Sequence, residues 1–300
     1  MQKNETGFTL IELSIVLVII GLIIGGVLVG QDLVRAAEVR ATISQVEKFN
    51  TATNTFRGKF GYLPGDLNAM TATQFGFAAR GASAGEGDGN GVIEGWASCC
   101  GTRATYESAG ETIMFWVDLS SAVAGNLIEG GFNTASSTTS PGADITGTNL
   151  NLWLPQAKIG RGNYFYVYGG AYNSGGWASL GVNYFGLSAV TNIASSSDSG
   201  KIFSTPNIPV AEAYAIDKKI DDGMPQSGTV MAWYLQIDQV WTDGTDASDI
   251  AGEPKPYSGA LAGSSATCYD NGSNSAVPTT YSMGQRNGAG PNCALSFKFQ

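Results

Sequence analysis

From Phe8 to Gly30 the chain runs 23 residues with a single charged side chain, Glu12. As a helix rising 1.5 Å per residue this stretch spans about 34 Å, against a hydrocarbon core about 30 Å thick. A membrane-spanning helix is therefore expected. A cleaved secretory signal would be shorter and would end at a small-residue site of the Ala-x-Ala kind. This run instead continues into Gln31, Asp32 and Leu33, so the helix is expected to be retained. An unpaired carboxylate in lipid costs about 2.5 to 3.5 kcal/mol at a helix centre and less near an end. Glu12 thus calls for a reason. One reason is local: the first turn of a helix favours an anion by a few tenths of a kcal/mol, and a carboxyl so near the end can snorkel to the interface. The other is a cationic partner brought by a second molecule.

Beyond Gly30 the apolar residues become one-sided. Val39, Ile43, Val46, Phe49, Thr53, Phe56 and Phe60 recur at steps of three or four, the stripe of an amphipathic helix. Asp32, Arg35 and Glu38 stand three apart and can pair on the wet face. No Pro lies between Phe8 and Phe60, so one helix of about 50 residues and roughly 80 Å is allowed. Its first half, 8–30, belongs in lipid, and its second half, 31–60, packs on a soluble head formed by residues 61–300. Gly61-Tyr62-Leu63-Pro64-Gly65-Asp66 supplies the stop.

Within the head, Glu111 to Ile128 shows helical spacing ending at Gly130-Gly131, and Pro209 to Ile220 reads as a helix begun by Pro and ended by Gly223. Asp221 and Asp222 fall at the negative end of that helix. Their placement suggests compensation by Lys218 or Lys219, by turn N–H groups, or by a cation joined with Asp217, and the structural turn ranks first. Tyr164 to Tyr168, Ala178 to Phe185 and Val230 to Val240 are rich in aromatic and β-branched residues bounded by glycines, and read as strands of an antiparallel sheet. Trp177, Trp233 and Trp241 are expected in the core.

The chain has no histidine, which removes the commonest general base and the commonest transition-metal ligand. Net charge is -9, from 16 Lys plus Arg and 25 Asp plus Glu, without a basic cluster. No nucleic-acid footprint is visible in such a balance. Catalysis by carboxylates alone, as in glycosidases, stays open.

Gly85-Glu86-Gly87-Asp88-Gly89-Asn90-Gly91-Val92 places oxygen-bearing side chains at alternate positions ahead of a Gly and an aliphatic residue. Glu86, Asp88 and Asn90 would be calcium ligands in half of a calcium-binding loop, but position twelve of such a loop would be Ala97, without the bidentate carboxylate. The plainer reading, a Gly-rich turn with Asx geometry, ranks ahead of calcium.

The stretch Gly7-Phe8-Thr9-Leu10-Ile11-Glu12 with its apolar continuation resembles the class III signal of type IV pilins and type II secretion pseudopilins. The resemblance covers about thirty residues of the chain and joins a short polar leader, Gly before Phe, a Glu five residues into the mature chain, and the long apolar helix. It implies a leader of residues 1–7, cleavage between Gly7 and Phe8 on the cytoplasmic side by a prepilin peptidase, and methylation of the new Phe8 amino group. It further implies that Glu12 helps subunits leave the bilayer and join a filament. The Phe8 α-amino group of a neighbouring subunit is then the candidate partner of Glu12. Many members carry a kinking Pro near the end of the membrane run, where this chain has Gly25-Gly26-Val27-Leu28-Val29.

The fold implied is α+β and pilin-like: a long N-terminal helix packed on an antiparallel sheet, with an enlarged, loop-rich C-terminal region. Four cysteines allow three pairings. In the periplasm a disulfide between Cys268 and Cys293 is expected, and it resembles the disulfide-closed C-terminal region of type IV pilins. Adjacent Cys99 and Cys100 could pair with each other or stay reduced, and crossed pairing stays open.

The function implied is that of a non-enzymatic structural subunit of a type IV pilus or pseudopilus. Its partners would be other pilin subunits, the prepilin peptidase and methylase, an inner-membrane assembly platform, and the membrane before assembly. It would be a precursor in the bacterial inner membrane with a periplasmic head, then part of a surface or periplasmic filament. No cofactor is required, and calcium is possible. The alternative is a membrane-anchored periplasmic protein that does not polymerise, either a calcium-dependent binder or a carboxylate-type hydrolase.

Overall fold

The computed structural model describes residues 9–81, 85–97, 102–104, 109–132, 143–169, 181–194, 202–236, 239–242, 268–270, 279–284 and 286–299. Gly7, Phe8, Cys99, Cys100 and Trp177 lie outside them. The elements run α1 (Leu10–Phe60), α2 (Ala69–Phe75), β1 (Gly95–Ala97), β2 (Thr102–Ala104), α3 (Glu111–Ser120), β3 (Ile145–Thr146), a 3-10 turn (Gly147–Leu152), β4 (Asn163–Gly169), β5 (Asn183–Ile193), β6 (Ile202–Thr205), α4 (Val210–Ile220), β7 (Val230–Met231), β8 (Trp233–Gln236), β9 (Gln239–Thr242), β10 (Tyr269–Asp270), β11 (Thr280–Tyr281), a second 3-10 turn (Arg286–Gly288) and β12 (Leu295–Lys298). The fold is α+β and pilin-like, a long N-terminal apolar helix followed by an antiparallel sheet.

α1 is continuous for 51 residues. Its side chains from Leu10 to Val29 are exposed, and the first buried one is Val39. From there Val39, Thr42, Val46, Phe49, Thr53, Phe56 and Phe60 are buried at steps of three or four, and Ile43 packs half-buried against them. Gly61, at φ 82°, caps the helix by donating its N–H to the Arg57 carbonyl at 2.8 Å. Only a residue tolerant of the left-handed region fits there without strain. The 3.6-residue stripe thus becomes the side of α1 that the head grips.

β5 is the centre of the sheet. On one side it pairs with β4 over Asn183–Ala189 and with β3 at Asn192 and Ile193. On the other it pairs with β12 over Tyr184–Leu187 and with β6 from Ala189 onward, and β7 continues beyond β12. All these pairings are antiparallel. Phe49 of α1 inserts where the helix meets the sheet, its ring centroid 5.0 Å from Trp116 and 5.2 Å from Phe165 in edge-to-face contacts. Such contacts each add about 0.5 to 1.5 kcal/mol beyond area burial.

Three expected elements are shorter or broken. The helix from Glu111 ends at Ser120 instead of Ile128, because the Ser121 hydroxyl accepts the Ala124 N–H at 3.1 Å and so competes with the helical ladder. Val230 to Val240 is not one strand. Ala232 donates its N–H to the Pro225 carbonyl at 2.7 Å, which interrupts the ladder after β7, and β8 and β9 form a separate antiparallel pair. The strand expected over Ala178 to Phe185 is found as β5, beginning only at Asn183 and running on to Ile193, while residues 178–180 lie outside the described part.

Candidate functional site

Thr9 and Glu12 form a reciprocal cap at the start of α1. The Glu12 carboxylate accepts from the Thr9 backbone N–H at 2.8 Å and from its hydroxyl at 2.7 Å, and the Glu12 N–H donates to Thr9 Oγ1 at 3.3 Å. This capping box satisfies N–H groups that a helix N-terminus otherwise leaves open. Its Thr-x-x-Glu signature stands in the sequence, and sequence reasoning missed it by treating Glu12 only as a charge. The surrounding surface is apolar and bare: Leu10 is 86% and Leu17 is 70% exposed. Among the described residues this is the one helix long and apolar enough to cross a membrane.

The glycine-rich loop at 85–94 is organised around two buried carboxylates from elsewhere in the chain. Asp66, from the turn closing α1, accepts N–H groups from Gly89 at 2.7 Å, Asn90 at 3.2 Å and Gly91 at 2.8 Å. Glu111, the first residue of α3, accepts from Gly87 at 3.0 Å, Asp88 at 3.3 Å and Glu94 at 2.9 Å. Asp66 is 1% and Glu111 is 0% exposed. Oxygen atoms of Asp66, Asp88 and Glu111 all lie within 4.8 Å of one another. Burial pushes the Asp66 carboxyl up to about 7, opposed by the loop N–H bonds. Burial and the neighbouring Asp66 push Glu111 well above the usual carboxylate range.

Of the residues singled out in the loop, only Asp88 joins this group. Glu86 is buried at 4% exposure, and Asn90 turns its Oδ1 to the Val92 N–H at 2.7 Å in an Asx turn. Sequence reasoning missed Asp66 and Glu111, whose one available signal was the Pro-Gly-Asp turn. A hard cation prefers carboxylate oxygens such as those of Asp66, Asp88 and Glu111. The six N–H bonds favour the charged forms but do not overcome burial, which raises both carboxyls.

The same turn is fastened to α3 a second time. Asp118, two helical turns beyond Glu111, accepts the Gly65 N–H at 2.7 Å and both oxygens receive Arg80 Nη2, at 2.6 and 2.7 Å. Both side chains of this ion pair are buried. Gly65 has φ 86°, and a Cβ there would stand 2.3 Å from the Glu111 carbonyl oxygen. The turn can therefore approach α3 only as glycine.

A groove of about 570 Å³ opens beside the head half of α1 over Phe49 and Phe132, rimmed by Lys48 and Lys158. Its one acidic lining residue is Glu129.

Cys268 and Cys293 are joined in a disulfide. Asp221 and Asp222 are compensated by turn donors: Asp221 accepts from the N–H groups of Thr229 and Val230, and Asp222 from the Met224 N–H at 2.8 Å.

Comparison with known families finds the prokaryotic N-terminal methylation motif at residues 2–28. This motif is the class III signal peptide of type IV pilins and pseudopilins, and it makes the N-terminus that of a pilin-like precursor. No curated protein and no solved structure matches the chain.

Proposed function

We propose that the chain, whose first residues are a prepilin-type signal, is a structural subunit of a type IV pilus or a pseudopilus. Cleavage falls between Gly7 and Phe8, Phe8 becomes the methylated N-terminus, and the subunit polymerises through α1. The observation carrying this reading is that the methylation motif opens onto a helix whose side chains stay bare from Leu10 to Val29. A single chain in water cannot leave so much apolar surface uncovered. Lipid covers it before assembly, and parallel α1 helices of other subunits cover it afterwards.

In this reading Glu12 has two successive partners. In the single chain Thr9 caps it, and in the filament the Phe8 amino group of a neighbouring subunit lies within its reach. A prepilin peptidase and an inner-membrane assembly platform are the implied partners, with the head in the periplasm until assembly. The head supplies packing and display. No cofactor is needed, and calcium enters only as an occupant for the Asp66, Asp88 and Glu111 group. The non-polymerising alternative, a tethered binder or hydrolase, has no use for Gly7, Phe8 and Glu12 at their spacing.

Mass spectrometry of the mature protein tests this reading. A chain beginning at N-methylated Phe8 is expected. An intact Met1, or a chain cut after the apolar run, overturns it.

A further inference from the structure

Lipid does not cover all of the bare surface of α1. Leu33 is 66% and Val34 is 57% exposed, and both stand beyond Gly30, where the membrane run 8–30 has ended. Val29, Asp32, Leu33 and Ala36 follow one another at steps of three, one and three, and so share one face of the helix. Arg35 and Val34 fall outside that face. All four of its side chains are exposed, and Asp32 forms no ion pair among the described residues. The other large apolar side chains exposed outside the membrane run, Met70, Phe75, Val123 and Leu152, have no exposed acid within one helical turn along the chain. Among the described residues the face at 29–36 is thus the one that couples bare apolar surface to an anion.

The groove beside the head half of α1 presents the complementary surface. Its α1 wall includes Ala41 and Ser44, small enough for a second helix to come close. Its floor includes Phe49 and Phe132. At the rim Lys48 pairs with Glu129 at 3.1 Å, whereas Lys158 is exposed and forms no ion pair among the described residues. The backbone of Lys158 is fixed to α1: its N–H donates to Gln45 Oε1 at 2.9 Å, and Gln45 Nε2 donates to the Gln156 carbonyl at 2.9 Å. An apolar trough edged by an unpaired cation matches a helix face that carries apolar side chains and an unpaired anion.

We propose that this groove receives residues 29–36 of α1 from a second copy of the chain, with Asp32 of that copy paired to Lys158 and its Leu33 and Ala36 lying over Phe49 and Phe132. The two helices run parallel. Setting Asp32 level with Gln45, which holds Lys158, moves the second copy about 20 Å along the helix axis toward the head, at about 1.5 Å per residue. Leu33 and Ala36 then come level with Val46 and Phe49. The Glu12 to Phe8 contact needs an offset of only about 6 Å, so the groove takes a different neighbour in the stack. A shift of about 20 Å draws most of a span about 30 Å long out of the hydrocarbon core. Two precursors in one membrane therefore cannot make this contact. The inference rests on the filament reading, and adds to it which surface of the head a neighbour's helix occupies.

Photo-cross-linking in cells that assemble filaments, with p-benzoylphenylalanine in place of Leu33, tests it. Mass spectrometry of the sheared filaments is expected to find dimers of the chain joined from position 33 to residues 128–132 or 151–158. Charge reversal supplies the second measurement. Asp32→Lys or Lys158→Asp alone sets like charges together and is expected to lower the share of chain in sheared filaments by about tenfold or more. The two together restore opposite charges and are expected to recover most of that loss. Cross-links that map elsewhere on the chain, to another protein or to lipid overturn the groove assignment, as does a double variant no better than the worse single one. If the bulky residue at 33 itself blocks assembly, the charge reversal decides alone. Filaments of methylated Phe8 chains with cross-links elsewhere leave the filament reading standing, whereas an intact Met1 without cross-linked dimers overturns both.

Discussion

The Glu12 carboxylate takes both donors of Thr9, the N–H at 2.8 Å and the hydroxyl at 2.7 Å, one residue after the expected mature N-terminus. The carboxyl that looked out of place in an apolar helix is therefore already employed in the single chain. Sequence reasoning set a local helix-end role against a partner from a second subunit, and did not find this cap. Its role in the single chain is to fasten the first turn of α1.

Two substitutions separate the roles. Thr9→Ala removes the cap, costs about 1 kcal/mol at the helix start, and is expected to leave filament incorporation near normal. Glu12→Leu is expected to leave membrane insertion intact and strongly reduce incorporation. Comparing sheared surface filaments with the inner-membrane pool by immunoblot measures both. Normal incorporation of Glu12→Leu would show that the carboxyl has no part in assembly.

The turn that ends α1 depends on a buried pair. Arg80→Met leaves Asp118 charged and sealed with only the Gly65 N–H to balance it. A loss of 3 to 5 kcal/mol is expected, on the order seen when one partner of a buried pair is removed. Asp118→Asn in the same chain removes the stranded charge while keeping an acceptor for Gly65, so the double variant should recover part of that loss in urea unfolding. A double variant no more stable than Arg80→Met alone would show that the charge is not what matters.

What was legible in the sequence follows from the range of the interactions. The stripe from Val39 to Phe60 was readable because helical periodicity is local, and the structure buries those side chains, Ile43 in part. The Thr9 to Glu12 cap was equally local and was overlooked, not hidden. Asp66 and Glu111 could not be paired from sequence, since only the packing of α3 on the turn after α1 brings them to one loop. Asp88 was identifiable from its loop, but its carboxylate neighbours were not. The break within Val230 to Val240 was invisible for a similar reason: it is set by the distant carbonyl of Pro225 capturing the Ala232 N–H. Long-range backbone partners leave no mark on local composition.

The disulfide closes a segment with a sequence separation of 25 between Cys268 and Cys293. In the chain-entropy treatment such a closure stabilises the fold by about 3.5 kcal/mol. Replacing both cysteines by serine should lower the urea midpoint accordingly and have less effect on α1, which the disulfide does not touch. Circular dichroism, dominated by the long helix, and near-ultraviolet signals from the head should then lose their coincidence. An unchanged midpoint would mean that the backbone bonds between Cys293 and Ile208 hold the segment unaided.

The buried acids around the 85–94 loop set a pH dependence with a definite sign. Asp66 is held near 7 in the folded chain against an ordinary value of 3.8, and Glu111 is displaced in the same direction. The native state therefore keeps protons that the unfolded state has released, so stability in chelator should fall as pH rises from about 4 to 7. For Asp66 alone the drop is at most about 4 kcal/mol. Asp66→Asn should flatten part of this slope in urea midpoints measured from pH 4 to 8. Calcium competes with protons for the same oxygens, so it is expected to raise the midpoint more at pH 8 than at pH 5, as any ligand of the native state alone would. Asp88→Asn, which removes the exposed member of the group and leaves the two buried carboxylates in place, should abolish that difference. If calcium leaves the wild-type midpoint unchanged at pH 8, the loop is held by its six N–H bonds and by protons, and the metal has no place in it.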